Sequence, residues 1–263
     1  MLTTSLPQLP RGLIVLKELG RGGNGTVYLT QHHISLNKYV VKIFRDHPDL
    51  PVVYLDGIEL PLEIATLRSL HHPNIVKYKT HFLEDGEWYL VMDYEPGFSD
   101  LHTLTRSCRF TEGTIQIIAE QLYGVVNFCL QNNIDHGDIK EENILYNPKT
   151  KQLKLIDFGT ALPLSRHPIS SLRGTTVCLP PEAFTKPHYF PLQASVWAIG
   201  CVLYGCMTNK PAFLETSDIL NKRARVPPSA RKVYSGKLVN LVERCLEPCQ
   251  VLRIMWSELG RNL

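Results

Sequence analysis

An α+β architecture in two lobes follows from three features of the 263-residue sequence. The first third carries short runs of β-formers separated by turns that contain Gly or Asn. After Glu95-Pro96-Gly97 the apolar residues fall at helical spacing instead, with Ile115, Ile118, Leu122, Val125, Val126 and Cys129 on one stripe. The apolar run from Val196 to Met207 is short of the roughly 20 residues that a bilayer span needs, so it marks a helix buried in a core. The expected parts are a small β-rich N-terminal lobe with one main helix, a short linker and a larger helical C-terminal lobe.

In chain order, strands are expected at Leu13 to Leu16, Thr26 to Leu29 and Tyr39 to Phe44. A helix fits Glu59 to Leu70, where Ile64, Leu67 and Leu70 share one face. Two strands follow at Ile75 to Phe82 and Trp88 to Asp93, joined by the hairpin turn Glu84-Asp85-Gly86. Thr111 is placed to cap the helix that carries the apolar stripe. Further helices are expected at Leu192–Met207, Ser217–Lys222, Gly236–Cys245 and Met255–Leu259. The resulting division is an extension over 1–12 and one domain over 13–260, with lobes at 13–93 and 98–260 and a hinge at 94–97.

Composition narrows the function classes. Hydrophobic residues make up 44% and charged residues 20% of the chain, as in ordinary globular proteins. A net charge of +3 gives no reason to invoke a nucleic acid or a membrane as partner, and a monomer is expected. Seven irregularly spaced cysteines form neither a disulfide framework nor a zinc motif, which suits reduced thiols in the cytoplasm or nucleus. Met1 to Pro10 has no apolar stretch of leader-peptide length, and His32-His33 and His71-His72 lack further metal-spaced ligands. The basic residues Lys222-Arg223-Ala224-Arg225 and Arg231-Lys232 read as a solvated loop, with a nuclear signal as the alternative.

Chemistry concentrates at a few places. Leu19-Gly20-Arg21-Gly22-Gly23-Asn24-Gly25-Thr26-Val27 sets glycines between two strands, where they let backbone N–H groups approach phosphate oxygens. A dinucleotide-binding turn uses similar glycines but requires a helix straight afterwards, whereas Thr26-Val27-Tyr28 continues as strand. Lys42 lies on the third strand, and Glu63 on the next helix supplies a carboxylate for it.

With the helix that runs from Glu63 through His71-His72-Pro73-Asn74 the chain comes to resemble the protein kinase superfamily. His136-Gly137-Asp138-Ile139-Lys140-Glu141-Glu142-Asn143 is similar to the kinase catalytic loop, and Asp157-Phe158-Gly159 to the metal-binding element. Pro180-Pro181-Glu182 stands where the family has Ala-Pro-Glu, and Arg253 where it places the arginine that pairs with that glutamate. The resemblance implies a bilobal fold with ATP and Mg2+ as cofactors. Asp138 would orient the substrate hydroxyl and accept its proton, while Asn143 and Asp157 would hold magnesium. Lys42 would anchor the ATP phosphates, and Lys140 would stabilise the transferring group. Val27, Val40 and Leu145 match residues that sandwich adenine; Met92 matches the gatekeeper; Asp93 to Glu95 match the hinge.

Lys140 and Thr175 are typical of serine/threonine kinases. Within that group the chain resembles the Pim family in its catalytic loop, in Leu153 to Gly159 and in Ala194-Ser195 before Val196-Trp197, where most kinases have Asp. The linker from Tyr94 to Leu101 is one residue longer than usual, another Pim-like trait. Asp100 and Glu142 match acidic residues that bind substrate arginines, implying protein substrates with Arg or Lys upstream of the target Ser or Thr. Two departures stand out: Glu95 takes a hinge position that Pim kinases give to proline, and Gly137 replaces the arginine of His-Arg-Asp. Without that arginine, activity independent of activation-segment phosphorylation is expected, with Arg166 and Arg173 as the segment's own cations. The rival readings are a pseudokinase scaffold, which Gly137 favours, and a small-molecule kinase.

Overall fold

The computed structural model describes residues 8–23, 25–48, 50–164 and 168–263, so the expectations for Asn24, Arg166 and most of the N-terminal extension lie outside the described residues. Two compact units emerge, Met1–His71 with Val76–Pro96, and His72–Ile75 with Gly97–Leu263.

In the first unit, strands β1 (Gln8–Leu9), β2 (Leu13–Gly22), β3 (Gly25–His32) and β4 (Lys38–Arg45) precede the hairpin β5 (Val52–Leu55) and β6 (Ile58–Pro61). Helix α1 (Leu62–Ser69) and strands β7 (Tyr78–Glu84) and β8 (Glu87–Asp93) complete it. The antiparallel sheet runs β1-β2-β3-β4-β8-β7. Its register sorts the side chains, because residues directly opposite one another share a face. Tyr28, Val41 and Val91 align on one face and join Leu9, Leu13, Val15, Phe82 and Tyr89 in an apolar cluster. Val27, Val40, Lys42 and Met92 fall on the other.

Two expectations need correction here. The helix expected from Glu59 begins at Leu62, because Glu59-Leu60-Pro61 pair with Val52-Val53-Tyr54 as strand. Asp56-Gly57, both at positive φ, make the tight two-residue turn that closes this hairpin. The strand expected from Ile75 starts at Tyr78, and Ile75 instead bridges Leu155 in the second unit. The Asn74 amide draws it there by donating to the Gln121 side chain and the Leu153 carbonyl, both at 2.7 Å.

The second unit opens with β9 (Ser99–Asp100), α2 (Leu101–Ser107) and α3 (Glu112–Gln131), followed by β10 (Ile134–Asp135), β11 (Ile144–Asn147), β12 (Gln152–Leu155) and β13 (Leu162–Pro163). Helices α4 (Glu182–Thr185), α5 (Pro191–Thr208), α6 (Thr216–Asn221), α7 (Pro228–Arg231), α8 (Gly236–Cys245) and α9 (Trp256–Asn262) follow. Thr111 caps α3 as expected, its hydroxyl accepting from the Thr114 N–H at 3.2 Å. The run from Val196 becomes the middle of α5, buried against α3, α8 and α9, with Trp197 stacked on Phe213.

Helix α2 was not expected: it starts at Leu101, where the linker from Tyr94 ends, in a stretch given no element. Asp100 caps it by accepting from the Thr103 N–H at 2.7 Å and the Thr103 hydroxyl at 2.9 Å. The basic cluster from Lys222 to Arg225 is an exposed loop, as expected, and its side chains form surface ion pairs. Lys222 pairs with Asp218, Arg223 with Glu247, and Arg225 and Arg231 share Glu243.

Candidate active site

The chemistry-bearing residues of the first unit lie on and beside the sheet face that holds Val27, Val40 and Met92. Lys42 extends from that face, and its ammonium donates to both Glu63 oxygens at 2.7 and 2.9 Å. Only 6% of the lysine side chain and 10% of the glutamate side chain are exposed, so the pair holds its geometry and is little screened by salt. The fold thus joins residues 21 positions apart by putting one mid-strand and the other in the first turn of α1.

The glycines of the β2–β3 hairpin divide into two kinds. Gly25 sits at φ +114°, where a Cβ would collide with the Ile43 carbonyl, so the protein itself requires glycine there. A Cβ at Gly20, Gly22 or Gly23 would meet no atom of the described residues within 4 Å. Packing does not explain those three, and the open backbone there leaves room for a phosphate to approach. Leu19 is exposed, Thr26 pairs with Ile43 across the sheet, and the Arg21 guanidinium is engaged by Glu18 at 2.8 Å. The Asp93 N–H donates to the Lys77 carbonyl, so any hydrogen bond that Asp93 offers a base comes from its carbonyl or side chain. Glu95 follows in the linker with no regular structure.

In the second unit the loop between β10 and β11 builds a dense polar knot. Asp138 Oδ1 accepts the Thr175 N–H at 2.7 Å, and Oδ2 accepts the Asn143 amide at 2.9 Å and pairs with the Lys140 ammonium at 2.7 Å. Lys140 also donates to the Thr175 hydroxyl at 2.7 Å. A carboxylate held by three donors has one orientation. The two residues that suggested a serine/threonine preference, Lys140 and Thr175, therefore meet directly at Asp138.

Behind the knot, buried His136 accepts the Asp138 N–H through Nδ1 at 3.3 Å, and its Nε2 donates to the Ile156 carbonyl at 3.0 Å. That arrangement needs the neutral ring, and burial does lower the histidine's pKa. The ring also meets Phe158 edge-on at 4.7 Å, tying the loop to Asp157-Phe158-Gly159. Asp157 takes φ +61°, a left-handed conformation stabilised by the Gly159 N–H donating to Oδ1 at 3.3 Å.

A hard divalent cation suits the donors present. Both amide hydrogens of Asn143 go to Asp138, to its backbone carbonyl at 2.8 Å and to its side chain, which leaves the Asn143 side-chain carbonyl oxygen as the atom to offer. With the Asp157 carboxylate, two oxygen ligands are what magnesium takes from protein when phosphate and water supply the rest. Leu145 is half-buried on β11, opposite Asp100. Glu142 is 52% exposed with His102 at 3.6 Å. The expected Glu182–Arg253 pair forms, bidentate at 2.6 and 2.8 Å.

Sequence reasoning missed one pair at this site. Asp135 and Arg173, 38 residues apart, join beside Gly137. The glycine in place of an arginine was the available signal, but nothing local in the sequence shows which side chain fills the space.

Residues 13–262 match the protein kinase domain family, and the chain belongs to that family. It is 31% identical over 241 residues to the serine/threonine-protein kinase pim-2 of Danio rerio, covering 87% of this chain and 76% of that protein. It is also 28% identical over 231 residues to the serine/threonine-protein kinase prk-2 of Caenorhabditis elegans, covering 87% and 52%. With the serine/threonine-protein kinase RUNKEL of Arabidopsis thaliana, identity is 31% over 204 residues, 75% of this chain and 15% of RUNKEL. The chain thus spans about half or less of the length of the last two relatives.

Proposed function

We propose that the chain transfers the γ-phosphate of ATP to serine and threonine hydroxyls of protein substrates. The observation that carries this reading is the Asp138 carboxylate, oriented at once by Thr175, Asn143 and Lys140. Phosphoryl transfer depends on positioning and charge neutralisation, and such a knot serves both. Asp138 receives the substrate hydroxyl and takes its proton, and Lys140 stabilises the transferring group. Asn143 and Asp157 hold magnesium, which supplies charge neutralisation on the phosphates when bound. Lys42, fixed by Glu63, engages the ATP phosphates together with the hairpin backbone from Gly20 to Gly25. Val27, Val40, Met92 and Leu145 contact adenine, with Asp93 and Glu95 at the hinge.

Two finer features belong to the proposal. A preference for Arg or Lys upstream of the target rests on Glu142 and Asp100, and identity to pim-2 agrees with a Pim-like kinase. Asp100 already serves as a helix cap, so Glu142 is the stronger arginine receptor of the two. Activity without segment phosphorylation rests on Gly137, which offers a phosphate no cation.

The test is magnesium-ATP with a positional peptide library, run on the protein and on Asp138→Asn. The parent should phosphorylate Ser and Thr peptides enriched in upstream Arg or Lys. Asp138→Asn should lose at least ~10²-fold in transfer while ATP binding persists. Equal incorporation by both proteins would remove Asp138 from the mechanism, and ATP binding without any transfer would leave a scaffold.

A further inference from the structure

We infer that Arg173 does, from within the activation segment, what an arginine at position 137 would do from the catalytic loop. It pins the segment to that loop without a phosphate, and so acts as a positioning residue for Asp138. The inference rests on the proposed phosphate-independent kinase activity.

Gly137 has φ +77°, and a Cβ built on it would lie 3.0 Å from Arg173 Nη2 and 3.2 Å from Cζ. The guanidinium therefore occupies the space that a side chain at 137 would enter. Nη2 pairs with the Asp135 carboxylate, two residues before Gly137, and Nη1 donates to the Thr160 carbonyl at 3.3 Å. Exposure is 12% for the arginine side chain and 6% for the aspartate, so bulk salt reaches the pair poorly.

The next two residues convert this anchor into a catalytic contact. Gly174 has φ +73°, and a Cβ there would collide with the Gly137 carbonyl, so the segment lies directly on the loop backbone. Thr175 then places its N–H on Asp138 Oδ1 and its hydroxyl at the Lys140 ammonium. Arg173-Gly174-Thr175 thus lies along the stretch from Asp135 to Asp138, anchored by charge at one end and touching the reacting carboxylate at the other. Upstream, Ile169 and Tyr189 exchange both backbone hydrogen bonds, at 2.8 and 3.0 Å, so the segment is held on either side of Ser170-Ser171-Leu172.

The experiment uses protein made with a co-expressed phosphatase and confirmed unmodified by mass. For Arg173→Gln, kcat per folded enzyme should fall about 10- to 100-fold, the effect expected of ångström-scale misplacement, with KM for ATP unchanged. Arg173→Lys should recover part of the loss. Hydrogen exchange should show the Thr175 amide losing protection in Arg173→Gln, and Asp135→Asn should reproduce both effects if the arginine variant folds poorly. A merely structural role would lower folded yield and leave kcat per folded enzyme alone. Parental kcat together with parental Thr175 protection in the folded variants would overturn the inference. If the unmodified parent itself lags until its segment is phosphorylated, phosphate independence fails. Exchange then still decides the anchor: lost Thr175 protection in Arg173→Gln supports it, and kept protection overturns it.

Discussion

Arg253, buried, and Arg173, half-buried, are arginines of the second unit paired with a carboxylate, yet they are built differently. Arg253 engages both Glu182 oxygens, spends its Nε on the Glu247 carbonyl and lies over the Trp197 ring at 4.9 Å. Its side chain is 0% exposed and that of Glu182 is 3%. Arg173 reaches one Asp135 oxygen, and its Nε is buried with no hydrogen-bond partner among the described residues. The first arrangement has every donor satisfied and serves to hold the helices together. The second leaves a donor unused two residues before Thr175 contacts Asp138, which suits a contact that positions rather than one that stabilises. A third carboxylate extends the series: Glu141 is half-buried, with its buried Oε1 lacking a hydrogen-bond partner among the described residues.

The largest effect should come from breaking the closed pair. Glu182→Gln leaves a buried guanidinium uncompensated and should cost about 3–5 kcal/mol, read as a drop in denaturant midpoint. A loss below about 1 kcal/mol would erase the distinction between the two arginines.

Glu141 should behave in the opposite sense. Burial first, then the neighbouring Glu142 and Asp100 charges, push its pKa up to about 7, against a lowering pull from Arg106. His102 lies 3.7 Å from its carboxylate. Between 4.5 and about 7 the folded chain keeps a proton that the unfolded chain has released. This stabilisation is therefore fully present below 4.5 and lost as pH rises through about 7. Glu141→Gln should stabilise the protein by about 2 kcal/mol at pH 8 and flatten that part of the pH profile in thermal melts. An unchanged profile would show that Glu141 finds a partner in solution.

The open pair should give the smallest change in stability. Arg173→Gln should cost about 1 kcal/mol in chemical denaturation, because the freed segment lets water reach Asp135. A loss as large as that of Glu182→Gln would make Arg173 a second structural clamp.

How far the sequence revealed this follows from the range of each signal. The α3 stripe with its Thr111 cap, the buried run of α5 and the bounds of α8 are local patterns, and all were legible. So was the Glu182–Arg253 pair, through motif position alone. The β5–β6 hairpin escaped because Ile64, Leu67 and Leu70 drew the helix back to Glu59, although Asp56-Gly57 between apolar runs is a strong hairpin signal. The Asp100 cap escaped because the same residue matched a binding motif. The Asp135–Arg173 contact depends on where a long segment returns, which no nearby pattern encodes.

Gly205 on α5 carries a consequence for how this sequence can diverge. A Cβ there would collide with Glu141 Oε1, so the carboxylate is seated against a bare stretch of helix backbone. The two positions are therefore coupled through the Glu141 side chain. A descendant that gains alanine at 205 must swing the acid at 141 aside, shorten it or lose it, because the clash falls on the end of that side chain. Saturation mutagenesis of the pair should recover larger residues at 205 chiefly alongside small ones at 141.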